Sequence, residues 1–134
     1  MSFGAAVRDG FSNYARFSGR SPRSGYWWWV LFVVGGRFVT AFLDLYLFGS
    51  QSGNGADSLG TVEGLFLLAV GVPSVAVMVR RLHDSDLRGW WAIAGIVPFA
   101  GFFILLIYTT RSSTPGPNRF GPATTGAAAL AEAT

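Results

Sequence analysis

At 134 residues, with 51% hydrophobic and 16% aromatic content against 13% charged residues, the chain has room for one domain and more apolar surface than a soluble domain of that size can bury. A bilayer removes that difficulty by acting as the solvent, so a membrane protein is the class expected. The ten basic residues are all arginine and leave a net charge of only +3, and the aromatics lie inside apolar runs, which argues against nucleic-acid binding; the lack of cysteine excludes disulfides, thiolate catalysis and Cys-ligated zinc.

In chain order, Phe3, Val7, Phe11 and Tyr14 recur at helical spacing while Arg8, Asp9, Ser12 and Arg16 fall on the opposite side, which predicts an amphipathic helix over 2–16. Beside a membrane segment such a helix either lies flat at the headgroup level or packs on the protein's own bundle. A turn-rich link from Phe17 to Gly25 follows, with Pro22 disfavouring helix at Ser21. It leads into Tyr26-Trp27-Trp28-Trp29, a residue set suited to a membrane interface.

The first predicted span runs over 26–48, long enough to cross a core of about 30 Å. Arg37 falls near its midplane, with Asp44 seven residues on along the same face. A central arginine costs roughly 3 kcal/mol and each Leu, Val or Phe returns about 0.3 to 0.6, so Arg37 is expected to face protein or trapped water. A polar loop from Gly49 to Ser58 carries no basic residue. The second span, 59–79, holds Glu63, Gly64 and Gly71 on one face, and Pro73; small residues let a neighbouring helix approach.

A charged hinge from Val79 to Trp91 comes next, and then a third span over 90–109 with Gly95, Pro98 and Gly101. Asp86 is placed to cap that span, and Pro73 and Pro98 lie at similar depths, where two facing bends would open a cavity. The tail from Arg111 to Pro122 is turn-forming, and 123–134 reads as disordered. Arginines crowd the N-terminal segment and the hinge and avoid the first loop, so positive-inside puts the N-terminus and residues 80–89 in the cytoplasm and, with three crossings, the C-terminus outside. The expected fold is therefore an all-α membrane protein, one multi-pass domain over 1–122, with three transmembrane helices preceded by a short amphipathic interfacial helix.

Several ordered motifs carry a family resemblance. Phe17-Ser18-Gly19-Arg20 with Arg23 and Tyr26-Trp27-Trp28, then Val72-Pro73 through Arg80-Arg81-Leu82-His83-Asp84, then Gly89-Trp90-Trp91, Pro98 and Gly101, and finally Pro115 to Pro122 with Asn118, resemble the YhaH-like small bacterial inner-membrane proteins gathered as the domain of unknown function 805. The resemblance covers about 11–122. It implies a multi-pass inner-membrane protein with no assigned catalysis. The chain departs from that pattern at Gly25, where an acidic residue is usual, at Asp86-Leu87-Arg88, and at Phe120, which weakens any ion-pairing scheme carried over from the family.

Three constellations are candidate sites. Arg16, Arg20, Arg23, Arg80, Arg81 and Arg88, with Trp90 and Trp91, form a basic aromatic rim suited to anionic lipid or an anionic ligand, or serve as plain topology signal. His83 with Asp84 and Asp86 form a hinge cap or arginine partner; as a metal or acid-base site they are weak, because further ligands are missing. Arg37, Asp44 and Glu63 form an intramembrane charge cluster, either a structural pair or part of an ion path. No metal, cofactor or enzyme is expected, since neither a nucleophile motif nor a phosphate-binding loop is present. The reading is a structural or interaction role engaging anionic lipid, a membrane-protein partner or a second copy of the chain; the rival is a small transporter or channel subunit using Arg37, and an enzyme using His83 comes third.

Overall fold

The computed structural model describes residues 1–49, 60–96 and 100–124. Four α-helices follow one another: α1 (Phe3–Ser12), α2 (Arg23–Phe48), α3 (Thr61–Asp84) and α4 (Ala100–Thr110), with a 3-10 helix over Gly89–Ile96 between the last two. Among the described residues no strand forms beyond an isolated bridge between Asn118 and Gly121.

The 26 residues of α2 and 24 of α3 extend about 39 and 36 Å, and both are apolar enough to cross a membrane. They form an antiparallel hairpin whose contact face is aromatic. Trp29 is 1% exposed, packs with Val70 and Val77, and donates its indole N–H to Ser74 Oγ at 3.1 Å across the pair. Burial there moves Trp29 out of the interfacial belt expected for the Trp run, whereas Trp28 stays exposed. Close approach comes from Gly36, against which the Phe66 ring lies so tightly that a Cβ would collide with it; Gly64 and Gly71, the expected contact points, have open space instead. Leu31, Phe38 and Phe42 on α2 and Leu65, Leu68 and Val72 on α3 point outward, as lipid-facing residues do.

Helix α1 is shorter than expected. Ser2 caps it by accepting from Ala5 N at 3.3 Å, and Asn13 ends it. It packs on α2 through Gly10, which leaves room for the Trp29 ring, and through Phe11, whose ring meets Trp29 edge-on at 5.3 Å. Asp9, assigned to the solvent side by the spacing, instead pairs with Arg80.

The third segment departs most from expectation. Helix α3 runs through the predicted hinge start and ends at Asp84, and the next apolar stretch is two arms packed on each other, not one rod. The eight-residue 3-10 arm and the eleven-residue α4 each extend about 16 Å, half a bilayer core. The chain then returns to its starting end, where Thr114 N donates to Asp84 O at 2.8 Å. Trp91 and Tyr108, with ring centroids 5.0 Å apart, join the arms. The described parts of the segment thus form two short arms in place of the single rod expected, and the tail through Thr124 lies at the hinge end of the molecule and not at the opposite end. Asp86 caps no helix; it sits at φ 58° and pairs with Arg119. Pro98, the loop 50–59 and residues 125–134 lie outside the described residues, and with them the paired-bend cavity and most of the expected disordered tail.

Candidate functional site

At the end where α2 begins and α3 and α4 finish, the fold gathers most of the chain's arginines. Their geometry divides them into two groups. Arg20, Arg80 and Arg81 have side chains 2%, 5% and 0% exposed, so they form no solvated rim. A buried guanidinium demands a counter-charge and acceptors for five N–H groups.

Asp84, itself 0% exposed, is the hub that answers that demand. Its Oδ1 accepts from Arg20 Nε at 3.0 Å and from Thr124 Oγ1 at 3.1 Å. Its Oδ2 accepts from Arg81 Nη1 at 2.5 Å and from the Ser113 hydroxyl. One carboxylate therefore ties four separate stretches of chain. The remaining guanidinium donors go to backbone carbonyls. Arg20 donates to Gly116 O at 2.7 Å and Thr114 O at 2.8 Å, holding the tail. Arg81 donates to Thr109 O at 3.0 Å and to Arg111 O, which satisfies orphan carbonyls at the C-terminus of α4 and sets a cation against its negative dipole end.

His83 completes the tail's seat. Its ring stacks on Phe120 with centroids 3.9 Å apart, its Nδ1 lies 3.1 Å from Gly19 O, and its backbone oxygen accepts from Asn118 Nδ2 at 2.9 Å. The ring is thus used for docking, and no group of three or more metal-ligating side chains exists among the described residues. Asp86 takes no part in this seat beyond its own pair with Arg119 at 3.2 Å.

The second group is exposed. Arg8, Arg88 and Arg111 reach solvent, and Arg23 reaches only Ser112 Oγ at 3.2 Å, so none of these four has a carboxylate partner among the described residues. Trp90 is 75% exposed and Trp91 41%. Of the rim expected from sequence, then, Arg16, Arg23, Arg88, Trp90 and Trp91 are exposed, while Arg20, Arg80 and Arg81 are consumed inside the protein. Arg8 and Arg111 fall outside the rim expected from sequence, because one lies on the amphipathic helix and the other in the tail.

The intramembrane cluster also divides. Asp44 accepts from Val62 N at 2.9 Å and Glu63 N at 2.8 Å, capping the start of α3 from the neighbouring helix. Arg37 pairs with Glu63 at 2.9 Å, its side chain 53% exposed and that of Glu63 14%. The pair borders an open cavity of about 480 Å³ lined also by Val34, Phe38 and Ala41.

Comparison with known proteins places this arrangement among uncharacterised membrane proteins. The profile of a family described as "Protein of unknown function (DUF805)" matches residues 14–122. The chain is 40% identical over 110 residues to "Inner membrane protein YhaH" of Escherichia coli (strain K12), spanning 82% of this chain and 88% of that protein. It is 38% identical over 111 residues to "Inner membrane protein YhaI" of the same strain, spanning 81% and 86%. No solved structure matches it.

Proposed function

The chain belongs to the DUF805 family, whose relatives are bacterial inner-membrane proteins, and from that premise we propose a structural or interaction role in which its basic end engages anionic lipid at the cytoplasmic face. The observation that carries the reading is charge segregation. Nine of the ten arginines, all but Arg37, gather at the hinge end, against Asp9, Asp84 and Asp86; the opposite end holds Asp44 and Glu63, joined by a loop with no basic residue. The return of the tail strengthens the orientation argument, because Arg111 and Arg119 now join the cytoplasmic set instead of opposing it. N-terminus, hinge and tail through Thr124 share that face, and two helices cross with one hairpin re-entering.

Arg8, Arg23, Arg88 and Arg111 carry the lipid contact, each worth about 1 kcal/mol near an anionic surface, with Trp90 and Trp91 at the headgroup level. The reading assigns no catalytic step and no cofactor. Native mass spectrometry of the purified protein should show phosphatidylglycerol retained over phosphatidylcholine, with the preference lost when those four arginines become glutamine. An undiminished preference in the variant removes the proposal. The rival, a small transporter or channel subunit, draws on the open cavity beside Arg37 and Glu63. Proteoliposome flux that disappears in a folded Arg37→Leu protein would favour it.

A further inference from the structure

Among the buried guanidiniums at the hinge end, Arg80 stands apart. Arg20 and Arg81 spread their donors over Asp84 and a set of carbonyls. Arg80 donates through Nη1 to Asp9 Oδ2 at 2.8 Å, while its buried Nε and Nη2 have no partner among the described residues. A buried N–H group left unpaired costs about 1–3 kcal/mol, and more when it belongs to a charge. Such a group calls for an explanation.

Arg80 lines a cavity of about 340 Å³ between α1, the link after it, the last turn of α3 and residues 122–124. Arg16, Arg20, Ser18 and Asp9 share its wall. Arg16 is exposed and makes only a 3.4 Å contact to Asn13 Oδ1, so its guanidinium is free to close over the mouth. Asp84 answers Arg20 and Arg81, so among the described residues Asp9 alone stands against Arg16 and Arg80, and the cavity carries surplus positive charge. Planar guanidinium edges fork onto phosphate oxygens, and a tetrahedral oxyanion accepts two such edges from different directions.

We propose that this cavity is a binding site for a phosphate-class oxyanion, held between Arg80 and Arg16. A rotation of the Arg80 guanidinium turns its unpartnered edge to the ligand, and Asp9 acts as the internal competitor that occupies the site when the anion is absent. The proposal deepens the reading of the basic end as an anion-engaging surface, yet it uses none of the four rim arginines, so the two can fail separately.

The test is phosphate titration of the full-length protein in phosphatidylcholine nanodiscs, followed by calorimetry. One saturable site per chain is expected. Asp9→Asn should tighten it at least about fivefold, because it removes the competing charge. Arg16→Gln, at an exposed position, should weaken it by a similar factor, and Ala123→Trp, which fills the cavity without touching an arginine, should abolish it. The glutamine rim variant should bind as the wild type does. A parallel titration in phosphatidylglycerol nanodiscs separates the sources: loss of the free-phosphate signal there marks the lipid headgroup as occupant, and its persistence marks a soluble anion. Absence of saturable binding to wild type and Asp9→Asn, or binding unchanged by Ala123→Trp, overturns the proposal.

Discussion

Asp84→Asn keeps the size of the side chain and removes the charge that Arg20 and Arg81 share. In the wild type Asp84 is fully buried and accepts ion-pair hydrogen bonds from both, at 2.9 and 2.5 Å for the shortest contacts. Asparagine offers one acceptor oxygen in place of two, and its amide turns N–H toward a guanidinium, donor against donor. Breaking one side of a buried pair costs about 3–5 kcal/mol because it strands the remaining charge. Here two charges are stranded, but each keeps backbone carbonyls as partial compensation, so a value in that range is expected and not twice it. For a chain of this size that corresponds to a fall in Tm of about 10–20 °C. The measurement is thermal unfolding in a fixed detergent and lipid mixture, with limited proteolysis of residues 111–124 as a local probe. The tail should become cleavable at temperatures where the helices remain intact. A variant that melts within about 1 kcal/mol of wild type with its tail still protected would refute the view that this carboxylate holds the end together.

Topology is directly testable because the chain contains no cysteine. Single cysteines at Arg88 and Pro117 should react with an impermeant maleimide from the same side of the membrane, and one at Thr61 from the other; labelling of residues 88 and 117 from opposite sides would restore a third crossing. Gly10→Val places methyl groups where the Trp29 ring lies, so overpacking should cost about 1–3 kcal/mol and shift Trp emission as α1 detaches; unchanged stability and emission would remove the assigned contact. At the other end, Arg37→Leu with Glu63→Leu should be tolerated better than Glu63→Gln alone, because the single change leaves an unpaired cation inside the membrane whereas the double removes both charges. Equal stability of the two variants would show that the pair is solvated and contributes nothing.

The two long helices and the basic end were legible in the sequence because each rests on a property that adds up along a window: apolar run length for α2 and α3, arginine density for the end. The two-armed third segment was not, since twenty apolar residues satisfy the length test whether they form one rod or two arms of half the length. The fate of the arginines was equally hidden. Arg20 and Arg81 look like surface cations until Asp84, 64 and three residues away, is seen facing both, and only the fold supplies that distance. Asp44 and Glu63 were grouped with Arg37 by depth; in space one caps a helix and the other forms the pair. The motifs that carry the family resemblance, Arg20, Arg80-Arg81 through Asp84, and Asn118, are largely the residues that hold this end together. Their spacing along the chain thus held a structural message that charge counting missed.

The four stretches tied by Asp84 are far apart in the order of synthesis: residue 20 emerges first, residues 81 to 84 much later, and residues 113 and 124 near the end. Arg20, Arg81 and Asp84 are therefore made before the Ser113 and Thr124 hydroxyls and the Gly116 carbonyl that complete the shell of these charges. Seating of residues 113–124 around Asp84 is therefore the last contact that the order of synthesis permits at this end. A truncation ahead of Ser113 removes the Thr114, Gly116 and Pro122 carbonyls that Arg20 holds and leaves that guanidinium, among the described residues, with Asp84 alone.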